Sequence, residues 1–361
     1  MIVLALFKKL KETAMRKVNM GNETVITDKK SKLSFTLYMI IGLIFLIIVI
    51  VGSISFGAAK MDIDTAWKAI LEFNPDITEH QIIRTLRLPR TFGDMVVGAS
   101  LAVAGAIMQG STRNPLADSG LMGVNSGATF LIALCLAFYP GHTYFKLSMF
   151  SFVGAGIGVG VTYFIASLSK RGITPQRLVL SGISISMLFS AMSSFIGIKY
   201  NIGQQLSYWS SGGVASISWS ELMVVMPAFI IGIIVSVIIS PSITMLSLGE
   251  EVAKGLGQKT IMIKFIASLV VLILAGISVS IAGPIGFVGL IVPHIIRFFV
   301  GVDYRYIIPA SALYGACFMV AADLMGRLIN RPYETPLGII FAIIGVPFFL
   351  YISRRERRAF E

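Results

Sequence analysis

Charge is scarce in this chain. Of its 361 residues only 13% are charged, while 55% are hydrophobic. A soluble domain carries about 25% charged residues, so a water-facing globule is excluded. Histidine is almost missing: His80, His142 and His294 are scattered along the sequence. Cysteine occurs twice, as Cys135 and Cys317, each inside an apolar run. That pattern gives neither a disulfide framework nor a metal spacing, and both read as buried packing residues. Phosphate-binding loops are also missing. Gly257-Gln258-Lys259-Thr260 lacks the adjacent Gly-Lys and the upstream glycine, and the glycine run from Gly283 to Gly289 follows no strand. Without a constellation of His, Asp or Glu, no catalytic residue, metal ligand or cofactor is expected, and this chain has no visible means of hydrolysing ATP.

What the sequence has in abundance is long apolar runs. Ten of them fall at roughly 33–58, 91–109, 119–139, 147–168, 176–197, 220–240, 262–281, 285–300, 307–326 and 336–352. Their lengths suit transmembrane helices, and they lack the alternation of barrel strands. The formal charge of +12 invites a nucleic-acid reading, but the basic residues cluster at the termini and in short loops. That is how the cytoplasmic face of a membrane protein looks. An even number of spans puts both termini on one side. With the termini cytoplasmic, 21 of the 30 Lys and Arg lie on the inner side. The sequence therefore predicts an all-α integral membrane protein of the cytoplasmic membrane with ten transmembrane helices and both termini inside. Residues 1–32 form a cytoplasmic tail, 33–353 the ten-helix domain and 354–361 a basic tail. The first segment is not a signal peptide: its apolar stretch is short, and its basic cluster follows rather than precedes it.

Within this frame some segments stand out. Span 91–109 is rich in Gly, Ala and Ser, which lets helices approach closely, so it belongs in the middle of the bundle. Gly154, Gly156, Gly158 and Gly160 suggest a second tight contact. The stretch Lys199–Trp219 should hold a short surface helix on the outer side. Between Pro241 and Met262 lies a polar island, Leu246 to Gly257, that reads as a two-turn helix outside the bilayer, ended by Gly255 or Gly257. Its bland reading is a loop helix with a Glu250–Lys254 pair. The functional reading is a docking element for a cytosolic ATPase. Arg87, Arg90 and Arg327 lie at outer helix ends. Each helix offers a local acid, Asp94 four residues after Arg90 and Asp323 four before Arg327. Intrahelical pairing is one reading; a positive rim for the carboxylates of a soluble partner is the other.

Several motifs in order resemble the FecCD-type permeases of iron-chelate and vitamin B12 ABC importers. They are Leu86-Arg-Leu-Pro-Arg-Thr91, Gly105-Ala-Ile-Met-Gln109, Asn114-Pro-Leu-Ala-Asp118, Leu248-Gly-Glu-Glu-Val-Ala253, Gly283 to Arg297 and Ala322 to Leu328. The resemblance covers about residues 33 to 353. It implies a type II importer permease that pairs with a second permease subunit, homologous or identical, around a central pathway. Two ATPase subunits would bind below and an extracytoplasmic substrate-binding protein above. It assigns binding-protein docking to Arg87, Arg90 and Arg327. It assigns ATPase coupling to Leu248, Gly249, Glu250, Glu251, Ala253, Gly255, Leu256 and Gly257. An inner gate near Asn114 and Leu116 is a further expectation. A ferric siderophore is the expected cargo, with haem and cobalamin as alternatives. An ion-coupled secondary transporter is the rival class, and it would leave the polar island unexplained.

Overall fold

A computed structural model describes residues 24–57, 63–139, 141, 143–168 and 174–357. Among these residues the chain is helical with no strand. Eight helices are long and apolar enough to cross a membrane, and two shorter apolar helices lie at further expected spans. The order is α1 (Thr24–Ser55), α2 (Ile63–Leu71), α3 (Thr78–Ile82), α4 (Leu88–Thr112), α5 (Val124–Phe138), α6 (Tyr144–Ser167), α7 (Pro175–Lys199) and α8 (Gly203–Ser210). There follow α9 (Trp219–Leu248), α10 (Glu250–Gly255), α11 (Thr260–Ala282), α12 (Val288–Val300), α13 (Tyr304–Ile329) and α14 (Leu337–Arg357). The short helices are α5 and α12. α8 is the surface helix expected in Lys199–Trp219.

α4 is the axis of the bundle. The helical rod Thr78–Thr112 that contains it is 89% buried over its most apolar window. The rod begins well before the apolar run, because a π turn at Ile83–Arg87 joins α3 to α4. Pro89 has no N–H to give, and the Leu88 N–H reaches back five residues to the Ile83 carbonyl. Small residues let backbone meet backbone along α4. A Cβ added at Gly98 would lie 2.2 Å from the Gly315 carbonyl oxygen of α13, and one at Gly105 would lie 2.0 Å from that of Gly289 in α12. The second tight contact is α5 on α6, through Gly154 and Gly158 only; Gly156 and Gly160 meet nothing within 4 Å. Residues 154 and 158 share one helix face, and 156 and 160 share the opposite one.

Prolines inside helices leave carbonyls without a helical donor, and at Pro241 and Pro293 a side chain takes the donor's place. The apolar run at roughly 220–240 stops short of Pro241, yet α9 runs through it to Leu248. Pro241 frees the Val237 carbonyl, and the Ser240 hydroxyl donates to it at 2.7 Å. Pro293 frees the Gly289 carbonyl, and Gln109 Nε2 of α4 donates to it at 3.1 Å. The first residues of the island, Leu246 to Leu248, therefore belong to α9, and the separate polar helix begins after Gly249.

Contacts fix which helix ends lie together. Arg87 and Arg327 reach carbonyls at the end of α1, and the Gly338 N–H at the start of α14 donates to Ser211. At the opposite end the Tyr304 N–H donates to Thr244 of α9, and Phe35 of α1 packs on Tyr306. The start of the apolar part of α1 thus lies at the end of the bundle that holds α10.

Candidate functional site

The two candidate regions sit at opposite ends of α4, whose 25 residues span about 37 Å. The first is α10. Gly249, with φ 137°, is the single residue joining α9 to α10, a conformation that side-chain-bearing residues rarely adopt. At the other end Gly257 (φ 81°) closes the helix. Its N–H donates to the Lys254 carbonyl and that of Gln258 to the Ala253 carbonyl, the paired bonds of a Schellman motif. Gly255 is the last residue of α10, and the left-handed closing turn falls to Gly257.

One face of α10 is tied down and the other is free. Ala253 is fully buried, and Gln258 Nε2 donates to the Ser242 carbonyl of α9. Glu250 is held by Lys254 at 3.3 Å, the expected pair, and more closely by Lys264 of α11 at 2.5 Å. The hydrogen bond from Lys264, aided by its charge and by Lys254, holds the Glu250 carboxyl below the usual carboxylate pKa. Glu251 faces solvent. Leu248, Val252 and Leu256 are exposed on the free side, beside an exposed ledge of Ile261, Met262 and Phe265. A polar helix that is pinned at its base and shows apolar side chains to water suits a protein contact. Neither Lys264 nor Gln258 announced itself in the sequence, since only the fold brings them to α10.

The second region gathers Arg87, Arg90 and Arg327, and they are not a row of free cations. Arg87 and Arg327 are 6% and 3% exposed. Arg87 Nη1 donates to the Ile54 and Ser55 carbonyls at 2.6 and 3.1 Å. Arg327 donates to the Ser53 carbonyl and hydroxyl at 3.0 and 2.6 Å. Both guanidinium groups thus satisfy carbonyls at the C-terminus of α1, where the helix has no donors left and its dipole favours a cation.

Arg90 joins the layers. Its Nε and Nη2 take the Asp323 carboxylate in a fork, with the shortest bond 2.7 Å, while Nη1 donates to Glu334 at 2.9 Å. Arg327 holds the same Asp323 at 2.9 Å, the expected intrahelical pair. The other expected pair is not made. Asp94 is fully buried, and among the described residues it forms no ion pair with Arg90. Order explains the difference. Helical side chains lean toward the N-terminus, so a base four residues after an acid reaches it, whereas Arg90 precedes Asp94 and leans away. Glu334 is a participant that sequence reasoning missed. It lies outside any apolar span and far from Arg90 in sequence.

Asn114 caps a turn just past α4: its side chain accepts the Leu116 N–H at 2.9 Å and its carbonyl accepts that of Ala117. Above it, Gln109 also accepts from Arg297 at 3.2 Å, and Arg297 donates to the Tyr304 hydroxyl at 2.9 Å. His294 lies against Phe298 and Phe348, and His80 accepts the Asn74 N–H. His142 lies outside the described residues.

The family model of the FecCD transport family matches residues 44–355. The chain belongs to that family. It is 48% identical over 320 residues to the iron(3+)-hydroxamate import system permease protein FhuB of Bacillus subtilis (strain 168), covering 89% of this chain and 83% of that one. It is 44% identical to the Fe(3+)-citrate import system permease protein YfmD of the same organism, covering 91% and 98%. Among solved structures, an inward-facing conformation of a transporter described as of metal-chelate ABC type superposes with a TM-score of 0.76 at 28% identity, covering 90% and 99%. The FecCD chain described here is accordingly a multi-pass transport protein of the prokaryotic cytoplasmic membrane, not an enzyme.

Proposed function

We propose that this chain is the permease subunit of an ABC importer that brings a ferric siderophore into the cell. The single observation that carries the importer reading is α10, a polar helix pinned by Gly249 and Lys264 with its apolar side turned outward. A separate ATPase dimer grips Leu248 to Gly257 from the cytoplasm. A second permease subunit completes the pathway, and α5 and α12 bring the crossings to ten. Residues 114–116, in the turn at the inner end of α4, form the gate. A substrate-binding protein docks at the far end, around Arg87, Arg90 and Arg327. Arg90 meets the partner there, being the most exposed of the three, while Arg87 and Arg327 hold the rim to α1.

Driven by the ATPase, α10 is displaced and the bundle alternates between outward and inward openings, a switch between two packings. The iron-hydroxamate and ferric-citrate relatives support a ferric chelate as cargo. Uptake of radioactive iron as ferric hydroxamate or ferric citrate, in a strain lacking this gene and in the complemented strain, tests the reading. Restored uptake of a ferric chelate is expected. Restored uptake of haem or cobalamin with no ferric chelate transported would overturn the cargo assignment.

A further inference from the structure

Among the described residues, Glu334 covers the outward edge of Arg90, the most exposed arginine of the cluster. A guanidinium has two faces for carboxylates, and Asp323, 1% exposed, fills the Nε/Nη2 edge of Arg90 permanently. Nη1 points the other way, and Glu334 covers it. The Glu334 side chain is 38% exposed and sits between α13 and α14; among the described residues no hydrogen bond other than the one from Arg90 holds it. Beside the pair opens a cleft of about 150 Å³, walled by Arg90, Glu334, Trp209, Gly212 and Thr335. By contrast, Arg87 and Arg327 spend donors on α1 from buried positions.

We infer that Glu334 is an internal stand-in for a carboxylate of the docking protein. An Asp or Glu side chain of that protein enters the cleft and takes Nη1 of Arg90 from Glu334. The inference rests on the docking reading above and specifies which donor the partner uses. The exchange is physically easy. The incoming acid forms the same charge-assisted bond that Glu334 gives up, and the Glu334 side chain, 38% exposed, can turn back into solvent. The stand-in keeps Nη1 paired while no partner is bound, and it sets a threshold that a weakly acidic surface does not pass.

The test uses the whole importer, permease with ATPase, in lipid nanodiscs, titrated with its own labelled substrate-binding protein. Glu334→Gln removes the competitor and is expected to tighten binding about two- to five-fold. Glu79→Gln removes the same charge from an exposed site on α3 at the same end, away from Arg90, and is expected to leave affinity unchanged. If Glu334→Gln weakens binding or leaves it unchanged, or if Glu79→Gln tightens it equally, the stand-in idea is wrong. Arg90→Gln leaves Asp323 paired with Arg327 and separates the two readings. If it weakens binding while Glu334→Gln has no effect, docking on Arg90 stands and only the stand-in fails. If none of these variants moves the affinity, docking at Arg90 falls as well.

Discussion

Replacing Arg327 with Gln asks whether this arginine serves the partner or the fold. The side chain is 3% exposed, pairs with Asp323 at 2.9 Å and gives two hydrogen bonds to Ser53. Removing one member of a buried ion pair costs about 3–5 kcal/mol, because the other charge stays behind. Asp323 keeps Arg90, which softens the loss, but the Ser53 carbonyl loses its donor, at about 1 kcal/mol. A net loss of about 3–4 kcal/mol follows, against a total stability of about 5–15 kcal/mol for an ordinary protein.

In thermal unfolding of the detergent-solubilised protein the midpoint should fall by on the order of 10 °C. Arg327→Lys keeps the charge but cannot span Asp323 and Ser53 with one planar fork, so it should fall by less. Docking of the binding protein should weaken in proportion to the loss of folded protein. A variant that melts like the parent yet no longer docks would refute the argument and return Arg327 to a direct role in the contact.

Three further outcomes follow from the packing. Gly105→Ala places a methyl 2.0 Å from the Gly289 carbonyl oxygen, so α4 and α12 must part; about 1–3 kcal/mol is lost, read as a lower melting point and lower yield of assembled protein. Gln109→Leu leaves the Gly289 carbonyl freed by Pro293 without its side-chain donor and leaves Arg297 only the Tyr304 hydroxyl, a loss of about 1–3 kcal/mol by the same measurement. Glu250→Gln or a bulky residue at Gly255 should lower transport per ATP hydrolysed in proteoliposomes, and normal coupling would remove α10 from the mechanism. The Glu250 clasp also carries a pH signature. Its folded pKa is depressed by Lys264, so the clasp is complete above the free carboxyl's pKa and fades as pH falls through the folded value. Hydrogen exchange of residues 250–257 should rise in acid, and Glu250→Gln should flatten that rise.

Much of the fold was open to reading because a bilayer imposes one length on every crossing helix. The central place of span 91–109 followed from its small residues. What escaped was whatever depended on a neighbour not adjacent in sequence. Pro241 carries the same local signal whether or not a helix ends there, and the Ser240 hydroxyl decides it. The arginine cluster showed its charges, yet its pairing turned on the order of base and acid along a helix, and on Glu334 arriving from another connection. α10 was visible as polarity, while its anchor Lys264 was not.

The two ends of the molecule are joined by something the composition of α4 does foreshadow. Arg90 sits near its start and Gln109 near its finish, and between them Gly98 and Gly105 bring its backbone against Gly315 and Gly289. Near the finish, Ile243 of α9 packs where a Cβ on Gly110 would be, at 2.4 Å. α9 in turn passes to α10 through Gly249 alone. Backbone meets backbone where α4 touches α12 and α13, a buried side-chain cluster joins α4 to α9, and close-packed interfaces shift between discrete packings rather than deform smoothly. On the coupling role proposed for α10, a push there passes through α9 to α4 and moves the Arg90 end with it.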